Sequence, residues 1–105
     1  MPCICVYLDV ILSFCDKRTE DVFHGRASSR VRKLPKELIR IIQRKLDLIN
    51  AATIVDDLKS PPGNRLKKLK GEWKDYHSIR VNDQWRITFK WAEPNALEVC
   101  ITDYH

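Results

Sequence analysis

The chain has 105 residues, 44% of them hydrophobic and 31% charged, which suffices for one domain with one modest core and excludes two. Nineteen Lys and Arg against 14 Asp and Glu give a net charge of +5, a balance that favours a polyanionic partner without requiring one. The composition excludes a disordered tail, and the apolar opening, residues 1–12, is far short of the ~20 residues a membrane helix needs.

That opening also lacks the basic flank and small-residue cleavage site of an export signal, so the chain reads as cytoplasmic. It is expected to form either an edge strand or an appendage. Val10 could be encoded by an alternative start codon, and a chain beginning there would open with the strand-like run Ile11-Leu12-Ser13-Phe14. Residues 1–10 are then an extension of a single domain spanning 1–105. Cys3, Cys5, Cys15 and Cys100 form no disulfide framework, since Cys3 and Cys5 are too close to pair easily, and all four are expected as reduced thiols. A zinc site from Cys3, Cys5, Cys15 and His24 fits no common ligand spacing, and no metal or cofactor is expected.

Asp16 to Phe23 predicts a short helix started by Asp16 or Thr19 and stopped at Gly25, with a loop from Gly25 to Ser29. From Lys36 to Ala51, Leu38, Ile41, Ile42, Leu46 and Ile49 recur at three- and four-residue intervals, which places them on one face of a helix of about four turns. Between Arg26 and Lys45 eight Lys or Arg face the single acid Glu37, as on a solvated helix face. Thr53 reads as the N-cap of a short helix over 54–59, with Asp56 and Asp57 in its first turn. Ser60-Pro61-Pro62-Gly63 must end it.

Beyond Gly63 the period changes from helical to alternating. Ile79 and Val81, then Trp85, Ile87, Phe89 and Trp91, then Leu97, Val99 and Ile101 predict three strands of an antiparallel meander. Asn82-Asp83 and Pro94-Asn95 supply the turns, and residues 64–69 could add a further strand. If the apolar residues face the helices, the opposite face carries Ser78, Arg80, Arg86, Thr88, Lys90, Glu98 and Thr102. Between Arg65 and Lys90 there are eight Lys or Arg, at 65, 67, 68, 70, 74, 80, 86 and 90, against Glu72, Asp75 and Asp83. This face reads either as a phosphate cradle, with Arg65, Lys67, Lys68, Lys74, Arg80 and Lys90 as RNA contacts, or as a sheet face with scattered charges.

Thr102-Asp103-Tyr104-His105 follows directly on a strand and sets a carboxylate, a phenol and an imidazole beside that face. The imidazole suits proton transfer near neutral pH, although a frayed terminus would carry the same residues. His24 reads as a loop residue, and His77, with the parity of Ile79, as packed. Gly-rich phosphate loops, HExxH, GxSxG and paired carboxylates spaced for two metals are all missing from the sequence.

The run Pro61-Pro62-Gly63-Asn64-Arg65-Leu66, then Leu69-Lys70-Gly71, then residues 78–87 (SIRVNDQWRI), and finally Asp103-Tyr104-His105, resembles the HigB family of bacterial toxins within the RelE superfamily. The likeness covers residues 11–105, including the opening Asp16-Lys17-Arg18-Thr19-Glu20, and leaves residues 1–9 outside. It implies an α+β fold, with N-terminal helices packed on one face of a twisted antiparallel sheet. It further implies a metal-free endoribonuclease that cuts mRNA in the ribosomal A site, and a HigA-like helix-turn-helix antitoxin through which alone the protein would meet operator DNA. No membrane is implied. Carried over position by position, the site roles fall on Lys70, Arg86, Asp103, Tyr104 and His105. Some members have a histidine where this chain has Lys67, which shifts the burden of proton transfer towards Asp103 and His105. The rival expectations are a non-catalytic RNA- or ribosome-binding module and, less economically, a protein-only interaction module.

Overall fold

The computed structural model describes residues 10–103. Asp16 opens the first helix: its carboxylate accepts from the Thr19 backbone N–H at 2.8 Å, supplying an acceptor that the first turn lacks. Helix α1 (Lys17–Phe23) ends where Gly25 adopts φ 71°, a conformation open to glycine and disfavoured for other residues. The predicted loop closes earlier than expected, because the Ser28 hydroxyl accepts from Val31 N–H at 3.3 Å and starts the four-residue helix α2 (Ser29–Arg32). Arg26 and Arg30 lie 3.4 and 3.7 Å from the buried carboxylate of Asp21, so part of the basic helical stretch is ion-paired.

Helix α3 (Lys36–Ala51) has the expected bounds, with Leu38, Ile42, Leu46 and Ile49 buried and Ile41 at the edge of the stripe. The following 3-10 turn, Val55–Lys59, is not capped by Thr53 as the sequence suggests. The Asp57 carboxylate reaches back to accept from the backbone N–H of Thr53 and Ile54 at 2.9 and 3.2 Å, and its charge makes it the stronger acceptor. A second 3-10 turn, Pro62–Asn64, follows.

Strands β1 (Lys67–Lys68), β2 (Tyr76–Arg80), β3 (Trp85–Ala92) and β4 (Asn95–Asp103) form one antiparallel sheet in that order. The strand anticipated over 64–69 shrinks to two residues, since Asn64 and Arg65 are committed to the turn before it. One sheet face packs on the helices: Ile79, Ile87 and Ile101 align across the strands, and Phe89, Ile42, Leu46 and Ile49 are fully buried with them. Each such side chain stabilises the fold by about 2–3 kcal/mol through loss of apolar surface to water.

Outside β4 runs the segment containing Ile11 and Phe14, which bridge in parallel to Ala96 and Val99. Its ladder includes Leu12 N–H to Ala96 C=O at 2.9 Å and Val99 N–H to Ser13 C=O at 3.1 Å. The edge-strand expectation therefore holds for this stretch, while residues 1–9, with Cys3 and Cys5, lie outside the described residues.

Two further expectations require correction. The β3–β4 register shifts between Thr88 and Lys90, and Glu98, at φ 51°, is the extra residue of the bulge. Leu97 then stands opposite Lys90, off the core face, and Ala96 is buried in its stead. The Glu98 N–H that the bulge strands is taken up by the Ser13 hydroxyl at 2.9 Å. Secondly, Cys15 and Cys100 are joined in a disulfide, with Cα atoms 5.3 Å apart, so these two are not reduced thiols and Cys15 offers no thiolate to zinc. The parallel docking of the first segment on β4 brings them together across 85 residues. Among the described residues no helix is long and apolar enough to cross a membrane.

Candidate active site

The sheet face turned away from the helices carries a groove of about 630 Å³ lined by Lys67, Lys68, Leu69, Lys70, Trp73, Thr88, Thr102 and Asp103. Its floor is the β3–β4 pair, where the hydroxyls of Thr88 and Thr102 lie 3.1 Å apart. Its wall is the stretch from β1 to the 3-10 turn Gly71–Trp73, with Lys70 at the head of that turn and Gly71 at φ 69°.

Arg86 stands directly opposite Thr102 and two residues from Thr88 on the same strand face, which places it beside this floor. Two contacts of its guanidinium run to β2 and to the loop before β1. Nε donates to the Ser78 hydroxyl at 2.9 Å and Nη2 to the Arg65 carbonyl at 3.0 Å. A fork fixed in this way has a defined plane, which suits bidentate recognition of a phosphate.

Asp103 ends β4 opposite Trp85, and its carboxylate accepts from the Gln84 side-chain amide at 3.3 Å. The strand end carrying it is fastened by the first turn of α1. The Thr19 hydroxyl, fully buried, accepts from Ile101 N–H at 3.1 Å and donates to Asp16 at 2.7 Å. Arg18 lies 5.4 Å over the Trp85 ring and donates to the Ile101 carbonyl at 3.4 Å. The Asp16 to Glu20 motif thus sets the position of Asp103, more than 80 residues away in sequence.

The remaining residues singled out from the sequence divide. Lys67 pairs with Ser78 and Lys68 with His77 on the edge strand β1, and although they differ in parity both line the groove. Arg65 is exposed, in the left-handed conformation at φ 45°. Lys74 follows the 3-10 turn and lines a neighbouring hollow with Lys68, Lys70 and Asp75. Lys90 lies further along β3 opposite Tyr76. Arg80 faces Arg86 across the β2–β3 pair and is ion-paired to Asp83. Tyr104 and His105 lie outside the described residues.

His77 stacks on Phe89 at 5.9 Å, and its ring pKa is held below the usual histidine value by burial and by the Lys68 charge. That is the packed residue its parity predicts. Cys15, Asp16 and Cys100 bring potential metal-ligand atoms within 4.8 Å of one another, but the two sulfurs are bonded to each other.

The family of RelE-like toxins of the type II toxin-antitoxin system HigB matches residues 12–105. The chain belongs to that family. Toxin HigB-1 of Vibrio cholerae is 40% identical over 86 residues, covering 82% of this chain and 88% of its own. Endoribonuclease HigB of Proteus vulgaris is 32% identical over 96 residues, 91% of this chain and all of its own. An uncharacterised Haemophilus influenzae protein is 40% identical over 73 residues, 70% of this chain and 71% of its own. A YoeB/ParE toxin from Agrobacterium tumefaciens superposes with a TM-score of 0.47 at 12% identity, over 90% of this chain and 97% of that one. Membership of a two-component family implies an antitoxin partner.

In this HigB-family chain the groove also holds a residue that the sequence reading passed over. Trp73 is 53% exposed, meets Tyr76 edge-on at 4.9 Å and lines the groove. Its signal is a lone large aromatic in the polar run Gly71-Glu72-Trp73-Lys74-Asp75, where no apolar period asks for one.

Proposed function

We propose that this toxin is a ribosome-dependent endoribonuclease that enters the A site in the cytoplasm and cuts mRNA by metal-free transesterification, restrained by a HigA-like antitoxin. The observation that carries the reading is the groove itself, where lysines at 67, 68 and 70 line one side and Thr88, Thr102 and Asp103 the other, with Arg86 alongside. Cations in this density suit a phosphodiester, and one carboxylate at the end of the groove suits a proton-transfer partner.

In the reaction, a ribose 2′-oxygen attacks the adjacent phosphorus and the bond to the 5′-oxygen of the next nucleotide breaks. The 2′-proton passes to a base and the leaving oxygen receives a proton from an acid, so that a cyclic phosphate and a 5′-hydroxyl result. Arg86, with Lys70 and Lys67, opposes the negative charge that grows on the phosphate. Asp103 and His105 move the protons, and Tyr104 stacks on or orients the scissile nucleotide. The exposed indole of Trp73 offers a second stacking face at the rim. Arg65, Lys68, Lys74, Arg80 and Lys90 contribute to backbone affinity, Arg80 least because Asp83 already pairs with it.

The net charge of +5 equally supports a non-catalytic module that binds RNA or ribosomes. Induced expression without antitoxin separates the two. The enzyme reading requires growth arrest that Arg86→Ala relieves while the protein still accumulates. Growth unaffected by the wild-type protein, with ribosome co-sedimentation intact, would favour the binding module.

A further inference from the structure

We infer that Lys45 and Asn64 are positioning residues, which aim the Arg86 guanidinium at the groove through the backbone carbonyl of Arg65. The inference rests on the charge-stabilising role proposed for Arg86 and extends it to side chains outside the groove.

Asn64 is a polar residue with no exposed surface, so every hydrogen-bonding group of its amide needs a protein partner. The amide nitrogen donates to the carbonyls of Leu58 at 3.1 Å and Ser60 at 3.3 Å. The amide oxygen accepts from the Lys45 ammonium, which reaches across from α3. The backbone joins in, with Asn64 N–H to Pro61 C=O at 2.9 Å and Arg65 N–H to Pro62 C=O at 3.1 Å. Together these contacts close the turn over Pro62–Asn64 and send the next residue into the left-handed region, φ 45° and ψ 56°. A residue with a Cβ disfavours that conformation and holds it only when its surroundings insist.

The consequence is a carbonyl aimed at β3. Arg65 C=O accepts from Arg86 Nη2 at 3.0 Å, while Nε is taken by Ser78, itself buried in the sheet. Of these two supports one is a strand and the other a loop, so the aim of the fork depends in part on how firmly the loop is fastened. Lys45 fastens it to α3. Burial and the charges of Arg44 and Arg80 hold the lysine pKa below its ordinary value; the tie to the loop itself is the hydrogen bond to the Asn64 amide oxygen.

The test compares Lys45→Met, Lys45→Arg and Asn64→Ala in the full-length protein, by thermal melting, single-turnover mRNA cleavage on ribosomes and hydrogen exchange of the arginine Nη–H groups measured by NMR. Lys45→Met keeps the aliphatic stem and is expected to remain folded. The predicted result is a fall of about tenfold in the cleavage rate at saturation, with KM within about twofold, because a misplaced charge loses transition-state contact more than ground-state binding. Arg86 Nη–H should exchange several-fold faster while Arg18 Nη–H is unchanged, and Lys45→Arg should keep most of the wild-type rate and exchange. Wild-type cleavage and wild-type Arg86 exchange in Lys45→Met would overturn the inference. So would losses in Lys45→Met and Asn64→Ala that simply track their melting temperatures. If the wild-type protein cuts no RNA, the functional reading fails, and exchange at Arg86 still decides whether Lys45 positions it.

Discussion

Replacing Arg86 by lysine keeps the charge and removes the fork. In the native protein the guanidinium spends Nε on the Ser78 hydroxyl and Nη2 on the Arg65 carbonyl, at 2.9 and 3.0 Å. A lysine ammonium is a single point of charge and cannot span both supports while also meeting a phosphate. Loss of one aimed transition-state donor lowers rates by roughly 10²–10³, equivalent to about 3–4 kcal/mol of barrier. Arg86→Lys should therefore be nearly as slow as Arg86→Ala. Both variants also leave the buried Ser78 hydroxyl without this donor. Allowing for the half-exposure of Arg86, that costs about 1–2 kcal/mol, or about 5–10 °C in melting temperature, which leaves the protein folded in the assay. Single-turnover cleavage of mRNA on programmed ribosomes, run beside a melting curve, measures both quantities. Arg86→Lys retaining more than about a tenth of the wild-type rate would show that charge alone suffices and refute the argument from the fork.

Three further outcomes follow from other parts of the molecule. The Cys15–Cys100 bond closes a loop spanning 85 residues, worth about 4.6 kcal/mol by chain entropy, so reductant should lower the melting temperature markedly; alkylation of both thiols in unreduced protein would contradict the bond. Because reducing compartments disfavour disulfides, the same alkylation performed on cells would report how far the bond persists there. Trp73→Ala should weaken single-stranded RNA binding by about 1–3 kcal/mol, with Trp73→Phe close to wild type in fluorescence anisotropy; equal affinities for all three would remove the indole from the site. His77, its pKa lowered from 6.5 first by burial and then by Lys68, binds fewer protons folded than unfolded. Stability should be complete above that value and decline as the pH falls below it, and urea titrations of His77→Leu should lose this part of the pH dependence, whereas an unchanged profile would exclude His77 as its source.

The helical and alternating periods were legible because burial of one face imposes them directly: α3 took its bounds from Leu38, Ile42, Leu46 and Ile49, and the polar parity put Arg86, Thr88 and Thr102 on one surface. The bulge at Glu98 was not legible, because its cause is the docking of Ser13 on β4, a contact across 85 residues. The disulfide escaped for the same reason. It depends on a parallel alignment that no local pattern encodes. Motif residues fared unevenly as well. Asp16 to Glu20 and Pro61 to Leu66 were visible as part of a resemblance, but their work on Ile101 and Arg86 rests on side-chain and carbonyl directions that only three dimensions supply. Trp73 was overlooked because period-based reading asks which aromatics are buried and gives no weight to one that is not.

The central claim is tested most directly by incubating the purified protein, with chelator present, with one mRNA on programmed ribosomes and with the same mRNA naked, and mapping the positions and chemistry of the ends. The account predicts cuts confined to the A-site codon, 5′ fragments ending in cyclic phosphate, and loss of both in Arg86→Ala. Saturable ribosome binding without any cut, or cuts that persist unchanged in Arg86→Ala, would contradict it.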